Sequence, residues 1–154
     1  MNQSISYSIP STISLDIPTN FIARFIDRCD VHDNLYALQQ TLSSSSVFDF
    51  HTDGSVTDIG TEHCSMTFAF IQSNSSSPYI QFNSLIDRWC SSNHAELAAV
   101  LAALLVSPLS SIITIYTDSK SIIDHYNNLS YFSFPLTPHN IFKGLNNNSY
   151  GLWF

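Results

Sequence analysis

Apolar and polar positions alternate along three successive segments of the chain. Val47 to Asp53, Cys64 to Gln72 and Tyr79 to Leu85 are rich in aromatic and β-branched residues, which predicts three strands. Turn residues follow the first strand at Gly54, Asp58 and Gly60. A polar stretch, 73–78, follows the second. Because both connections are short, the pattern predicts a three-stranded antiparallel meander.

After these three strands, apolar residues recur at helical spacing and no longer alternate with polar ones. Asn93 to Val106 is rich in alanine and leucine, which predicts a helix, and a proline follows it as a stop signal. Ser111 to Thr117 predicts a buried strand, and a last helix is expected to follow with Asp118 or Ser119 as its cap and to run to about Asn127. The order β-β-β-α-β-α predicts an α/β fold with the fourth strand parallel to the first.

The first 46 residues have a different pattern. Residues 1–18 show no sustained period and carry two prolines, which indicates an extended leader. Apolar residues then recur at helical spacing at Phe21, Ile22, Phe25 and Ile26, and again at Leu35, Leu38 and Leu42. We therefore predict a leader with a helix over 1–46 and one α/β domain over 47–154, a length that suits one site rather than two.

Charge is scarce in this chain and predominantly negative. Only 11% of the residues are charged and the net charge is −7, whereas binding to nucleic acid through phosphate contacts alone usually involves a basic face. The negative charge therefore argues against a simple nucleic-acid-binding module. It does not argue against a nuclease that uses divalent cations as its positive charge, because bound ions are often the largest local charges in a site.

Targeting and cysteine patterns are uninformative in themselves. The N-terminus has no basic start and no apolar core of a secretory signal, and the longest apolar run, Leu97 to Val106, is too short to span a bilayer. We expect an intracellular protein, nuclear or cytoplasmic, that does not interact with membranes. The three cysteines form no CxxC pair that would begin a zinc or redox site.

Three carboxylates occupy positions that need an explanation. Glu96 is the one charged residue between Ala95 and Val106, in a helix that should be buried on most faces. Asp53 and Asp118 each follow a predicted strand. Each residue also has a simpler interpretation: Glu96 as a solvated group at a helix N-terminus, Asp118 as a helix cap, and Asp53 as part of an Asp-Gly turn.

Taken together, the three acids predict a metal site. If the first and fourth strands are neighbours and the alanine-rich helix crosses them, all three carboxylates converge. Converging acids repel one another unless cations lie between them. Ligation by oxygen alone suits Mg²⁺ or Mn²⁺, and paired ions of this kind serve in-line attack on phosphodiesters.

The segments FHTDGS, NHAELAAVLAAL and IYTDSKSI resemble the three successive acidic motifs of type 1 ribonuclease H domains. The resemblance covers about Val47 to Asn128. It implies a ribonuclease H-like mixed sheet with flanking helices, and a two-metal endonuclease that cuts the RNA strand of RNA/DNA hybrids, leaving a 5′-phosphate. It further implies that Asp53 bridges both ions while Glu96 and Asp118 hold one of them.

By the same resemblance, backbone groups of Gly54 and Ser55 and the side chain of Asn93 would bind the hybrid's minor groove, where 2′-hydroxyls distinguish RNA from DNA. The family would also have a fifth strand, a histidine-bearing loop and a final helix with a fourth carboxylate. No Asp or Glu follows Asp124 in this sequence. We therefore expect the domain to be C-terminally incomplete, lacking the final strand and helix.

Two functions remain open at this point. The three acids favour an active endonuclease, whereas the lack of a fourth favours an inactive ribonuclease H-like remnant that acts as a nucleic-acid-binding or interaction module. Such domains also occur attached to reverse transcriptases of retroelements, which the 46-residue leader would fit. Related nuclease folds, such as 3′-exonucleases and integrases, use similar acids but match these motifs less well.

Overall fold

The computed structural model describes residues 21–86 and 90–131. Eight elements follow one another in this part of the chain, and from the first strand onward their order is the predicted one. In chain order they are α1 (Phe21–Phe25), α2 (Asp30–Leu42), β1 (Val47–Thr57), β2 (Ser65–Gln72), β3 (Ile80–Ile86), α3 (Ser92–Val106), β4 (Ile112–Tyr116) and α4 (Lys120–Tyr131). The predicted extended leader and C-terminal end lie largely outside the described residues.

The four strands form one mixed sheet in the order β3-β2-β1-β4. β2 is antiparallel to both β1 and β3, whereas β4 pairs with β1 in parallel, from Val47 opposite Ile112 to His51 opposite Tyr116. This is the strand arrangement of the ribonuclease H-like fold. It confirms the predicted meander and the predicted parallel fourth strand.

β1 is longer than the sequence predicts, because the Asp53-Gly54 pair does not form a turn. Gly54 pairs with Phe68 of β2, and the ladder continues to Thr57 opposite Ser65. The chain reverses only at residues 58–64, where Asp58 (φ 55°) and Gly60 (φ 84°) adopt left-handed backbone conformations. The prediction of a turn at Gly54 is therefore wrong, and Gly54 lies within β1 beside the site.

Aromatic side chains on the inner face of the sheet pack against the alanine face of α3. Phe50 meets Phe70 edge to face at 5.4 Å between ring centroids, and Phe70 stacks on Phe82 at 5.5 Å. The small side chains of α3 allow the helix to approach the sheet closely. Its buried alanines are Ala95, Ala98, Ala99, Ala102 and Ala103.

The helices of the predicted leader share this core. Ile22 of α1 and Leu35 and Leu42 of α2 are completely buried and belong to the same hydrophobic cluster as the sheet. Gln39 Nε2 also donates a hydrogen bond to the Leu105 carbonyl at 2.9 Å. Residues 21–42 thus cover part of α3.

β4 differs from its predicted burial. The sequence predicts a buried strand, but Ile112 and Tyr116 are 68% and 50% exposed. Only Ile113 and Ile115 turn towards the core. Among the described residues, β4 has β1 as its neighbour on one side and no strand on the other. Within the described ranges, no helix has the length and apolar character required to cross a membrane.

Candidate metal centre

The parallel pairing of β1 and β4 brings the first and third acidic residues to the same end of the sheet. The buried Thr52 hydroxyl donates to the Tyr116 carbonyl at 3.4 Å, immediately before Asp53 on β1 and close to the end of β4. Asp118 follows two residues after Tyr116. The end of β4 is thus held against the middle of β1, and both aspartates are exposed there.

Asp118 precedes α4 without being its first residue. The helix begins at Lys120, and the carbonyl of Ser119 accepts the Ile123 N–H at 3.2 Å. Ser119 therefore occupies the cap position. Asp118 is left in the connection between β4 and the helix, where its carboxylate faces the other two acids.

Glu96 is brought to the cluster by the first turns of α3. Ser91 caps the helix by accepting the His94 N–H at 3.1 Å. Gly54 then lets the helix lie directly on β1, because a Cβ on Gly54 would fall 2.8 Å from the Glu96 Cα and would collide with its backbone nitrogen. The absence of a side chain at Gly54 is thus what allows Glu96 to reach Asp53.

The structure brings all three sequence-predicted acids together. Asp53, Glu96 and Asp118 each offer a carboxylate oxygen, and these oxygens all lie within 4.8 Å of one another. They come from three different elements of the fold. The convergence predicted from strand order is therefore present in the geometry.

Glu96 is the member of the cluster whose pKa its surroundings raise. Burial raises the pKa of Glu96, Asp118 and Asp53 raise it further by repulsion, and the Gly54 N–H opposes them by hydrogen-bonding to the carboxylate. Its Oε2 atom is shielded from solvent and has no hydrogen-bond partner among the described residues. This environment does not fit the simpler interpretation of Glu96 as a solvated group at a helix end.

The donor set fits a hard divalent cation. A buried carboxylate oxygen without a partner carries an uncompensated cost, and a cation between the three acids would remove both that cost and the repulsion. Oxygen ligands of this kind suit Mg²⁺, Mn²⁺ or Ca²⁺, and the absence of sulfur and nitrogen donors disfavours Zn²⁺. Lys120 offers little compensation, because its side chain is 90% exposed and its ammonium pairs with Asp124 at 3.8 Å.

The predicted substrate-binding residues surround the cluster. Gly54 lies directly against the backbone of Glu96, Ser55 is exposed on β1, and Asn93 is half-buried one turn before Glu96. Sequence reasoning missed one contact here, since Ser121 Oγ donates to Asn93 Oδ1 at 2.8 Å. No local pattern signals this contact, because the two residues are 28 positions apart.

Comparisons with known proteins add a limited finding. No protein-family model and no curated protein matches the chain. Among solved structures, it is similar to a foamy viral protease-reverse transcriptase in complex with dsDNA, at 20% sequence identity and a TM-score of 0.45. The match covers 68% of this chain and 77% of that chain. The ribonuclease H-like fold is therefore assigned from the strand order and directions.

Proposed function

We propose that this protein is a divalent-cation-dependent endonuclease that hydrolyses the RNA strand of RNA/DNA hybrids. The observation that carries the proposal is the carboxylate cluster, in which three oxygens lie within 4.8 Å of one another and the buried Glu96 Oε2 has no partner in the described part of the chain. A purely structural cluster of this kind would only destabilise the fold. The three acids of the cluster are the acidic residues of the three sequence motifs that resemble type 1 ribonuclease H domains.

In this proposal Asp53, Glu96 and Asp118 hold Mg²⁺ or Mn²⁺. When bound, such ions lower the pKa of an attacking water and neutralise charge that develops on the phosphate. Asp53 and Asp118 are exposed and would face the substrate, whereas Glu96 reaches the cluster from α3, whose backbone lies directly against Gly54.

The cation requirement also accounts for the acidity of the chain. With a net charge of −7, the protein would repel a polyanion unless the cluster were first neutralised, so substrate binding and cation binding should be linked. Gly54, Ser55 and Asn93 are proposed to contact the minor groove of the hybrid, where the 2′-hydroxyl distinguishes RNA from DNA.

The substrate class is tested with four labelled nucleic acids of one sequence: an RNA/DNA hybrid, double-stranded DNA, double-stranded RNA and single-stranded RNA. The full chain is incubated with each in Mg²⁺, in Mn²⁺ and in a chelator. We expect internal cuts in the RNA strand of the hybrid alone, dependent on the cation. Hybrid binding without cleavage would favour the alternative, an inactive nucleic-acid-binding remnant, and neither binding nor cleavage would contradict both.

A further inference from the structure

A chain of hydrogen bonds joins the start of α4 to the start of α3 beside the carboxylate cluster. Ser119 Oγ lies 3.1 Å from Ser121 Oγ, and Ser121 Oγ lies 2.8 Å from Asn93 Oδ1. The Ser119 N–H donates to Thr117 Oγ1 at 3.2 Å, which anchors the chain to the end of β4. The chain therefore begins next to Asp118 and ends one turn before Glu96.

The chemistry of the groups fixes the direction of these bonds. The Asn93 Oδ1 atom is a carbonyl oxygen and can only accept, so Ser121 must donate its single hydroxyl hydrogen to it. Ser119 must then donate to Ser121, because that hydroxyl has no second hydrogen. The hydrogen bonds run from Ser119 through Ser121 to Asn93.

This direction determines which end of the Asn93 amide is available to a ligand. With Oδ1 held by Ser121, the two hydrogens of Nδ2 are presented on the other side, and none of the described residues accepts a hydrogen bond from them. An amide free to rotate would present its carbonyl half of the time. A fixed NH₂ group matches the acceptors of a minor groove, namely base N3 and O2 atoms and the 2′-hydroxyl oxygen.

We propose that Ser121 is a positioning residue that holds Asn93 as a hydrogen-bond donor for the RNA/DNA hybrid. This inference rests on the proposed function and adds to it the residue that sets the orientation of the substrate contact. Ser121 itself need not touch the nucleic acid. Its contribution should therefore disappear when Asn93 is removed.

The test is a double-mutant cycle on hybrid binding, measured by fluorescence anisotropy with a labelled RNA/DNA hybrid in an Asp53→Asn background that prevents cleavage. Ser121→Ala should weaken binding by about threefold to tenfold, the usual contribution of one hydrogen bond. Ser121→Ala added to Asn93→Ala should cause no further loss. Ser121→Thr retains the hydroxyl donor and should bind as the parent does, as should Ser92→Ala, which alters an exposed serine next to Asn93.

The outcomes separate this inference from the function on which it rests. Equal losses for Ser121→Ala with and without Asn93, in variants that melt at the parent temperature, would overturn the positioning role and leave the nuclease proposal intact. Failure of Ser121→Thr to restore binding would also overturn it. No hybrid binding by the full chain in any form would overturn both.

Discussion

Gly54 on β1 lies directly against the backbone of Glu96 on α3, so that a single missing Cβ determines how closely the helix approaches the sheet. The backbone N–H of the same glycine also acts to lower the pKa of Glu96, against the effects of burial and of the two aspartates. One residue therefore both makes room for the acid and partly stabilises its charge.

Gly54→Ala should accordingly be destabilising. The added methyl would collide with backbone atoms of Ala95 and Glu96, which cannot rotate away, and overpacking of this kind costs about 1 to 3 kcal/mol. The free energy of unfolding from urea titration measures the effect. Ser55→Ala, at the exposed neighbouring position, is the control and should change stability little; equal values for the two variants would contradict the close approach.

The acidic cluster should make the cation-free protein less stable at high pH. Burial and the two aspartates raise the pKa of Glu96 in the folded state, so the folded protein binds that proton more tightly than the unfolded chain. The free energy of unfolding should therefore rise as pH falls from above the raised pKa to the ordinary value of 4.5, and the penalty is fully present above the raised pKa.

Glu96→Gln isolates this effect, because it removes the charge and keeps the shape. In chelator, its stability relative to wild type should increase with pH through that window and then become constant. Unfolding by urea from about pH 4 to about pH 8 measures the difference. Glu62→Gln, at an 88% exposed position, should show no such trend; a trend of the same size there would assign the effect to net charge.

Divalent cations should stabilise the wild-type protein. A ligand that binds only the folded state adds about 2.7 kcal/mol at 100 times its dissociation constant, which corresponds to a Tm increase of several degrees. Thermal unfolding with increasing Mg²⁺ or Mn²⁺ measures this. Glu96→Gln and Asp118→Asn should lose most of the increase, whereas Asp124→Asn should retain it, since Asp124 lies on α4 and pairs with Lys120; an unchanged increase in all three would exclude the cluster as the binding site.

Gln72 provides a prediction that concerns the fold alone. It is completely buried, and its Nε2 donates to the carbonyls of Asn74 and Pro78, which orders the turn between β2 and β3. Gln72→Leu would remove these bonds from partly buried backbone groups, at a cost of about 1 to 3 kcal/mol. Urea unfolding measures the loss, with the exposed Gln81→Leu as control. The Tm increase caused by cations should survive, because the turn lies beside Val47 at the start of β1, six residues before Asp53.

The fold could be predicted from the sequence wherever one periodicity extended along a whole element. The alternation in 65–72 indicates a strand, and the alanine and leucine content of α3 indicates a helix, without a competing interpretation. The parallel placement of β4 follows from the rules that govern connections between strands. The Asp53-Gly54 pair misled because a turn signal is local, whereas Gly54 is required by a helix more than 40 positions away. The burial of β4 was overestimated for a similar reason, since composition does not reveal which faces have neighbours.

The residues of the candidate site could be predicted from the sequence, but the burial and the hydrogen bonds of their side chains could not. Asp53, Glu96 and Asp118 were identifiable from their positions at the ends of strands and in an apolar helix. The unpartnered Glu96 Oε2 and the Ser121 contact to Asn93 depend on side-chain geometry across elements. No pattern within a single segment contains that information.

The most direct test of the account compares two carboxylate substitutions in the cleavage of a labelled RNA/DNA hybrid with Mg²⁺ or Mn²⁺. Asp53→Asn removes a proposed metal ligand, and Asp58→Asn makes the same chemical change at an exposed hairpin residue whose left-handed backbone suits asparagine. We expect Asp53→Asn to reduce the cleavage rate by about 100-fold or more, since even the outer partners of metal ligands contribute about 10- to 100-fold, and Asp58→Asn to cleave as wild type does. Equal rates for wild type and a folded Asp53→Asn variant, or no cleavage by folded wild-type protein, would contradict the account.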